Sequence, residues 1–177
     1  MPDSQTQLAL LRGINVGGKN KLPMKDLAGI FEGAGCGDVR TFIQSGNVIF
    51  TATSRVSKGL AGMVTSKIEE QFGYKVPVIL RTAQQLREVV SNNPFPDAED
   101  MLHVMFLEDH PSPAKISALD PNRSAPDAFI LRGGDVYLHL PNGIRDTKLT
   151  NAWFDSKLST VSTGRNWRTI TKLLALM

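Results

Sequence analysis

The chain has 177 residues, 41% of them apolar and 21% charged. At roughly 150 residues per domain this is one large domain or two small ones, too apolar for disorder and long enough to hold a core without disulfides or metal. The single cysteine, Cys36, excludes a disulfide framework, and no run approaches the ~18 apolar residues of a membrane span. The polar start, Met1 to Gln7, lacks the basic and apolar stretches of a signal peptide, so a cytoplasmic protein with no membrane partner is expected. The net charge of +3 is too small to predict nucleic-acid binding, but its signs are segregated. Four bases (Arg12, Lys19, Lys21, Lys25) and no acid lie between Leu8 and Lys25, eight acids face three bases from Pro94 to Asp135, and six bases face two acids from Pro141 onward. A solvated surface accounts for counts this small.

Gln7 to Ile14 reads as a strand apolar on both faces, followed by a Gly-rich loop from Asn15 to Leu22. Pro23 suits the first turn of a helix carrying Met24, Leu27, Ile30, Phe31 and Ala34 at helical spacing, with Gly35 or Gly37 as its stop. Arg40 to Gln44 and Asn47 to Ala52 form a hairpin around Ser45-Gly46. Ser57 is the expected cap of a second helix (Leu60, Met63, Val64, Ile68, Phe72) ending at Gly73, before a strand over Val76 to Arg81. Strand, helix, strand, strand, helix, strand is the ferredoxin-like order.

Thr82 with Gln85 is a capping-box pattern opening a connecting helix that runs through Val90. Ser91 to Asp97, rich in Asn and Pro, is the clearest linker. The order then nearly repeats. A strand spans Met101 to Leu107, Ser112-Pro113 opens a short helix with Ile116 and Leu119, and a hairpin pairs Ala128–Arg132 with Val136–Leu140 around Gly133-Gly134. Lys148 to Leu158 is a helix holding Trp153 and Phe154. Thr160 to Thr163 is too short to read as a strand, and a last helix starts near Asn166 with Trp167, Ile170, Leu173 and Leu174 on its packed side. The expectation is an α+β chain of two ferredoxin-like halves with antiparallel sheets and packed helices, 1–91 and 98–177. The duplication rests on element order alone.

Gly13-Ile14-Asn15-Val16-Gly17-Gly18-Lys19-Asn20 spells G-x-x-x-x-G-K followed by Asn. A phosphate-binding P-loop needs Ser or Thr there for Mg²⁺, a helix starting at once, and a parallel sheet. All three are missing, so a nucleotide hydrolase is excluded. A weaker reading survives, in which Gly17 and Gly18 expose backbone N–H groups to an anion while Arg12, Asn15 and Lys19 add charge and orientation.

Leu10 to Gly18 (LLRGINVGG), Gln44 to Phe50 (QSGNVIF) and Arg165 to Leu173 (RNWRTITKL) together resemble the family called domain of unknown function 1697. The first two follow its pattern without a break, whereas Arg168 stands where a polar residue, often Asn, is expected. The resemblance implies a bacterial two-part α+β fold with a ferredoxin-like N-terminal half, and it implies no activity, so no catalytic residue is carried over. The motifs share Arg, Asn, Gly and Ser at loops and element ends, residue types that bind anions and also tie loop junctions. Arg12, Asn15, Gly17, Gly18, Lys19, Ser45, Asn47, Arg165 and Asn166 are the candidate ligand-binding residues.

His103 and His139 fall in strands and His110 in a turn, without metal-pair spacing, and neither metal nor cofactor is expected. Cys36 between two glycines reads as a small residue at a helix end, and Trp153 and Trp167 read as core. The third strand holds one aromatic residue, Phe50, so base stacking of RNA is disfavoured, although backbone contact to nucleic acid through the basic ends stays open. Strands apolar on both faces (Phe42 against Ile43, Val48 against Ile49) call for a cover, either the other half or a second subunit in a homodimer. Arg165 and Asn166 are placed at the start of the last helix, and convergence of the two basic ends would set them beside Arg12 and Lys19 in one cleft. Three functions follow: binding of a small anionic or phosphate-bearing ligand at the Gly-rich loop, an enzyme of unknown class in the same cleft, and an interaction or dimerisation module whose motif residues only support loops.

Overall fold

A computed structural model describes residues 3–177. The chain divides into two compact units, one running to Gln85 and including Leu173–Met177, the other formed by Leu86–Lys172.

The first unit contains β1 (Ser4–Leu11), α1 (Met24–Gly33), β2 (Gly37–Phe42), β3 (Asn47–Thr53), α2 (Ser54–Ser57), α3 (Leu60–Phe72) and β4 (Val78–Thr82). Its sheet order is β2-β3-β1-β4 with every neighbouring pair antiparallel, which is the ferredoxin-like arrangement. The two-residue side-chain period sends Ala9, Leu11, Val48, Phe50 and Ala52 to the face covered by Leu27, Ile30 and Phe31 of α1 and Leu60, Val64 and Ile68 of α3. Leu8, Leu10, Ile49 and Ile79 on the opposite face are at most 3% exposed, so the sheet is buried on both sides.

Local details depart from the sequence expectations for identifiable reasons. Ser57 does not cap the second helix. Gly59 (φ 80) interrupts the helical path, leaving α2 as a single turn capped by Thr53, whose hydroxyl accepts from the Val56 N–H, while α3 starts after Gly59. The Ser57 hydroxyl instead donates to the Thr53 carbonyl and accepts from Gln7 Nε2 at 2.6 Å. β1 begins earlier and stops at Leu11, whose N–H bonds to the Gly46 carbonyl, because the chain turns at Gly13 (φ 74). β4 starts at Val78, after Pro77, which has no N–H for a ladder.

α4 (Ala83–Ser91) carries the chain from one unit into the other. Its start is the reciprocal capping box: Gln85 Oε1 accepts the Thr82 N–H, and Thr82 Oγ1 accepts the Gln85 N–H. The second unit holds a 3₁₀ turn (Glu99–Met101), β5 (Leu102–Leu107), α5 (Pro113–Ser117), β6 (Ala128–Arg132), β7 (Asp135–His139), α6 (Asn151–Leu158), β8 (Ser162–Asn166) and the start of α7 (Trp167–Leu176), whose last turn from Leu173 counts with the first unit. Its antiparallel order, β6-β7-β5-β8, repeats that of the first sheet strand for strand. Met105, Leu107, Val136 and Leu138 pack with Leu149, Trp153, Phe154 and Leu158, and Phe129 meets both Trp153 and Phe154 edge-on. The Tyr137 hydroxyl donates to the Val89 carbonyl at 2.6 Å, tying α4 to this sheet.

Thr160 to Thr163, too short in the sequence to read as a strand, leads into the full strand β8, and α7 starts at Trp167, one residue later than expected. Arg165 therefore belongs to the strand and not to the helix start. β8 has no apolar run to betray it. Its order comes from the ladder to β5 and from Ser162, which accepts from Asn151 Nδ2 and donates to Asp155 Oδ1 at 2.7 Å. α6 starts at Asn151 and not at Lys148, because the Thr150 hydroxyl caps it by accepting the Trp153 N–H.

Candidate functional site

The Gly-rich loop is built from left-handed residues: Gly13, Asn15, Gly17, Gly18 and Asn20 all have φ between 50° and 75°. Gly17 and Gly18 are the central pair of a tight turn in which the Lys19 N–H donates to the Val16 carbonyl at 3.0 Å, with both φ positive as in a type I′ hairpin. Asn15 ties the loop shut. Its Nδ2 donates to the carbonyls of Leu22 and Gln44, both at 2.9 Å, and its Oδ1 accepts the Leu22 N–H at 2.8 Å. Asn20 Nδ2 adds a bond to the Gly13 carbonyl, while Ile14 and Leu22 anchor the loop in the core.

Beside this loop lies a depression of about 580 Å³, lined by Asn15, Gly18, Lys21, Leu22, Pro23, Met24, Lys25 and Gln44. It opens at the start of α1, where Pro23 is the N-cap and no side chain bonds the first N–H groups. The Tyr74 hydroxyl donates to the Lys21 carbonyl and fixes the chain there. Neither the Lys21 nor the Lys25 ammonium has a carboxylate partner among the described residues, although Asp26 lies in the same first turn. Both cations and the helix start favour negative charge here. Arg12, Gly17 and Lys19 do not line the depression.

In the hairpin motif Asn47 is fully buried, its Nδ2 donating to the Phe42 carbonyl and to Ser45 Oγ, both at 3.1 Å. The connection spans Ile43 to Gly46 and is longer than the expected two-residue turn. It holds Ile43 at φ 48 and 51% exposed. A β-branched residue is strained in that region. Ile43→Asn, which tolerates the left-handed conformation, is expected to raise stability by about 1 kcal/mol. A thermal midpoint at or below that of the parent protein would contradict this strain.

In the third motif Arg165 is buried, its Nη1 donating to Thr163 Oγ1 at 2.9 Å and to the Gly164 carbonyl at 2.8 Å. Burial pushes its guanidinium down to about 10, still protonated at neutral pH. Asn166 Oδ1 accepts the Thr169 N–H at 2.8 Å and so caps α7. Arg165 and Asn166 belong to the second unit, Arg12 and Lys19 to the first. Burial raises the Cys36 thiol to about 11, which keeps it protonated and poorly nucleophilic. Among the described residues no three or more His, Cys, Asp or Glu side chains could hold a metal ion, and no helix is long and apolar enough to cross a membrane.

The pattern of the family described as "Protein of unknown function (DUF1697)" matches residues 5–137, most of the chain. The chain belongs to that family. The match takes in the first two motifs and ends before Arg165. A solved structure with the same fold is that of a conserved bacterial protein, SP0830, from Streptococcus pneumoniae, with a TM-score of 0.70 at 18% identity over 97% of this chain and 98% of that one. No curated protein matches the chain. Within this DUF1697 chain, Lys21, Lys25 and Gln44 are residues of the depression that motif reasoning passed over. For the lysines the signal was present in the acid-free run from Leu8 to Lys25, where Lys21 and Lys25, four residues apart, flank a helix start.

Proposed function

We propose that the chain binds a small anionic, phosphate-bearing ligand in the depression before α1. What supports this reading is the pairing of two carboxylate-free ammonium groups, Lys21 and Lys25, with a helix start that no side chain caps. Gly18 allows close backbone approach, and Gln44 supplies a neutral polar group. Arg12 and Lys19 add long-range attraction without contact. The lining carries no carboxylate, imidazole, hydroxyl or thiol side chain, which favours binding over catalysis. The motif residues Asn15, Ser45, Asn47, Arg165 and Asn166 engage other protein groups, so their part is to shape loops.

The test is a thermal-shift panel of inorganic phosphate, nucleotides, sugar phosphates and short oligonucleotides. A ligand at about 100 times its Kd adds roughly 2.7 kcal/mol, or about 5–10 °C for a chain of this size. The shift is expected to vanish in Lys21→Ala/Lys25→Ala and to persist in Lys19→Ala. No shift with any member of the panel, or one that survives the double substitution, would overturn the assignment.

A further inference from the structure

An edge strand turns the N–H and C=O of every second residue out of its sheet, ready to pair with another chain, and folded proteins block such edges. Among the described residues, three of the four sheet edges carry a block. β2 is broken by a register shift between Gly37 and Arg40, where Asp38 has φ 47. On β4 the Pro77 carbonyl accepts the Arg12 N–H, so the bonded pairs to β1 fall at Ile79 and Arg81, and Leu80 faces outward. The Leu80 carbonyl is taken by Arg81 Nη1 at 3.0 Å. β8 repeats the device. Its Val161 neighbour accepts the Glu108 N–H, which turns Gly164 outward, and Arg165 Nη1 donates to the Gly164 carbonyl at 2.8 Å.

β6 has none of these blocks. Its ladder to β7 runs without a shift and ends in the Gly133-Gly134 turn, whose φ values of 64° and 91° are those of a type I′ hairpin. Arg132 and Asp135 are therefore a hydrogen-bonded pair, and Ile130 and Ala128 also spend their backbone groups on β7. The Leu140 N–H, bonded to the Met101 carbonyl, confirms this phase, because it sends the alternate residues of β7 to β5. Phe129 and Leu131 thus present N–H and C=O at the edge. No loop, cap or side chain among the described residues bonds to those groups. Their side chains pack into the core beside α6, while Ile130 points to the opposite face and is 37% exposed. The strand holds no proline, and its one charge is Arg132 at the end.

We propose that β6 is the interface for a second copy of this chain, paired antiparallel and edge to edge about a two-fold axis through Ile130. The strand is complementary to itself. The register that overlaps all five residues sets Phe129 opposite Leu131 of the second copy, so the outward groups of both residues meet in mutual hydrogen-bonded pairs. It stacks Ile130 against Ile130 at the closer, non-bonded position, and it sets Arg132 opposite Ala128, so no like charges face each other. A shift toward either end runs past the strand into Pro126 or the Gly133-Gly134 turn. Such a contact uses the same patch on both copies, and with the other edges blocked it closes at a dimer instead of propagating. The pairing is independent of any ligand at α1.

The test is sedimentation velocity of the full-length protein from about 10 μM to 1 mM, the range in which an interface this small dissociates. A reversible monomer–dimer equilibrium is expected. Ile130→Lys and Ile130→Glu each set like charges against one another on the axis, and each should weaken the dimer by about tenfold or more. An equimolar mixture of the two should recover association, because Lys then faces Glu. Ile130 is partly exposed, so the thermal midpoints of both variants stay near that of the parent. Ile144→Lys, at an isoleucine 55% exposed elsewhere in the same unit, should leave the dimer unchanged. A monomer throughout the range, a dimer undiminished in Ile130→Lys, or no recovery in the mixture would overturn the assignment.

Discussion

Alanine in place of Gly46 is expected to lower stability by roughly 2–5 kcal/mol, against a typical total of about 5–15. Two effects add. Gly46 sits at φ 87, where an L side chain is strained by roughly 1–2 kcal/mol. The new Cβ would also stand 2.7 Å from Leu11 Cβ and 3.1–3.2 Å from the Ile14 side chain. Leu11 and Ile14 are both fully buried, and overpacking such a site costs about 1–3 kcal/mol more. Neither can retreat easily, because the Gly46 carbonyl accepts the Leu11 N–H at 2.8 Å and locks the hairpin connection to the end of β1. Gly18→Ala is the internal control. It shares a positive φ (75°) but meets no atom within 4 Å, so it should lose only the conformational part. Urea unfolding of the two variants separates the effects, and an equal loss in both would show that the close approach at Gly46 is not a constraint.

That glycine shows where a sequence can be read and where it cannot. The QSGN motif marks a turn, and Gly46 was legible as a turn residue, but its contact with Leu11 and Ile14 joins segments more than thirty residues apart. The repeated βαββαβ order was legible because core residues alternate in the strands and recur at helical spacing in α1 and α3. The box of Thr82 and Gln85 was legible because both partners lie within one helical turn. β8 was not. Ser162–Asn166 has the composition of a loop, and its strand state comes from the ladder to β5. The misplacement of β8 carried Arg165 with it, since a residue at an exposed helix start becomes, on a strand, a buried guanidinium bonded to Thr163 and Gly164. At the candidate site the cations were legible as charge. Which of them line a depression depends on a turn that points Gly17 and Lys19 elsewhere and leaves Lys21 and Lys25 on either side of Pro23.

Asn15 carries the second large expected effect, and it decides between an asparagine that contacts ligand and one that builds the site. Asn15→Ala removes three hydrogen bonds and places an alanine at φ 53, a combined loss of about 3–5 kcal/mol. Asn15→Asp is the sharper probe because it keeps the shape and the tolerance for a left-handed backbone. Its second oxygen would face the carbonyls of Leu22 and Gln44, which now receive hydrogen bonds at 2.9 Å. Such surroundings favour the protonated acid, so its folded pKa should rise above the unfolded value of about 3.9. The folded state then binds more protons between those two pKa values. The deficit relative to the parent protein should therefore be greatest at neutral pH and shrink as pH falls through the folded pKa. Chemical denaturation of both proteins at pH 7 and at pH 4 measures this directly. A deficit equal at both pH values, or none at either, would mean that Asn15 does not tie the loop. A deficit that shrinks on acidification, together with weakened phosphate binding at neutral pH, would mean that the motif asparagine serves the ligand indirectly, by holding Gln44 and the chain around Lys21 in place.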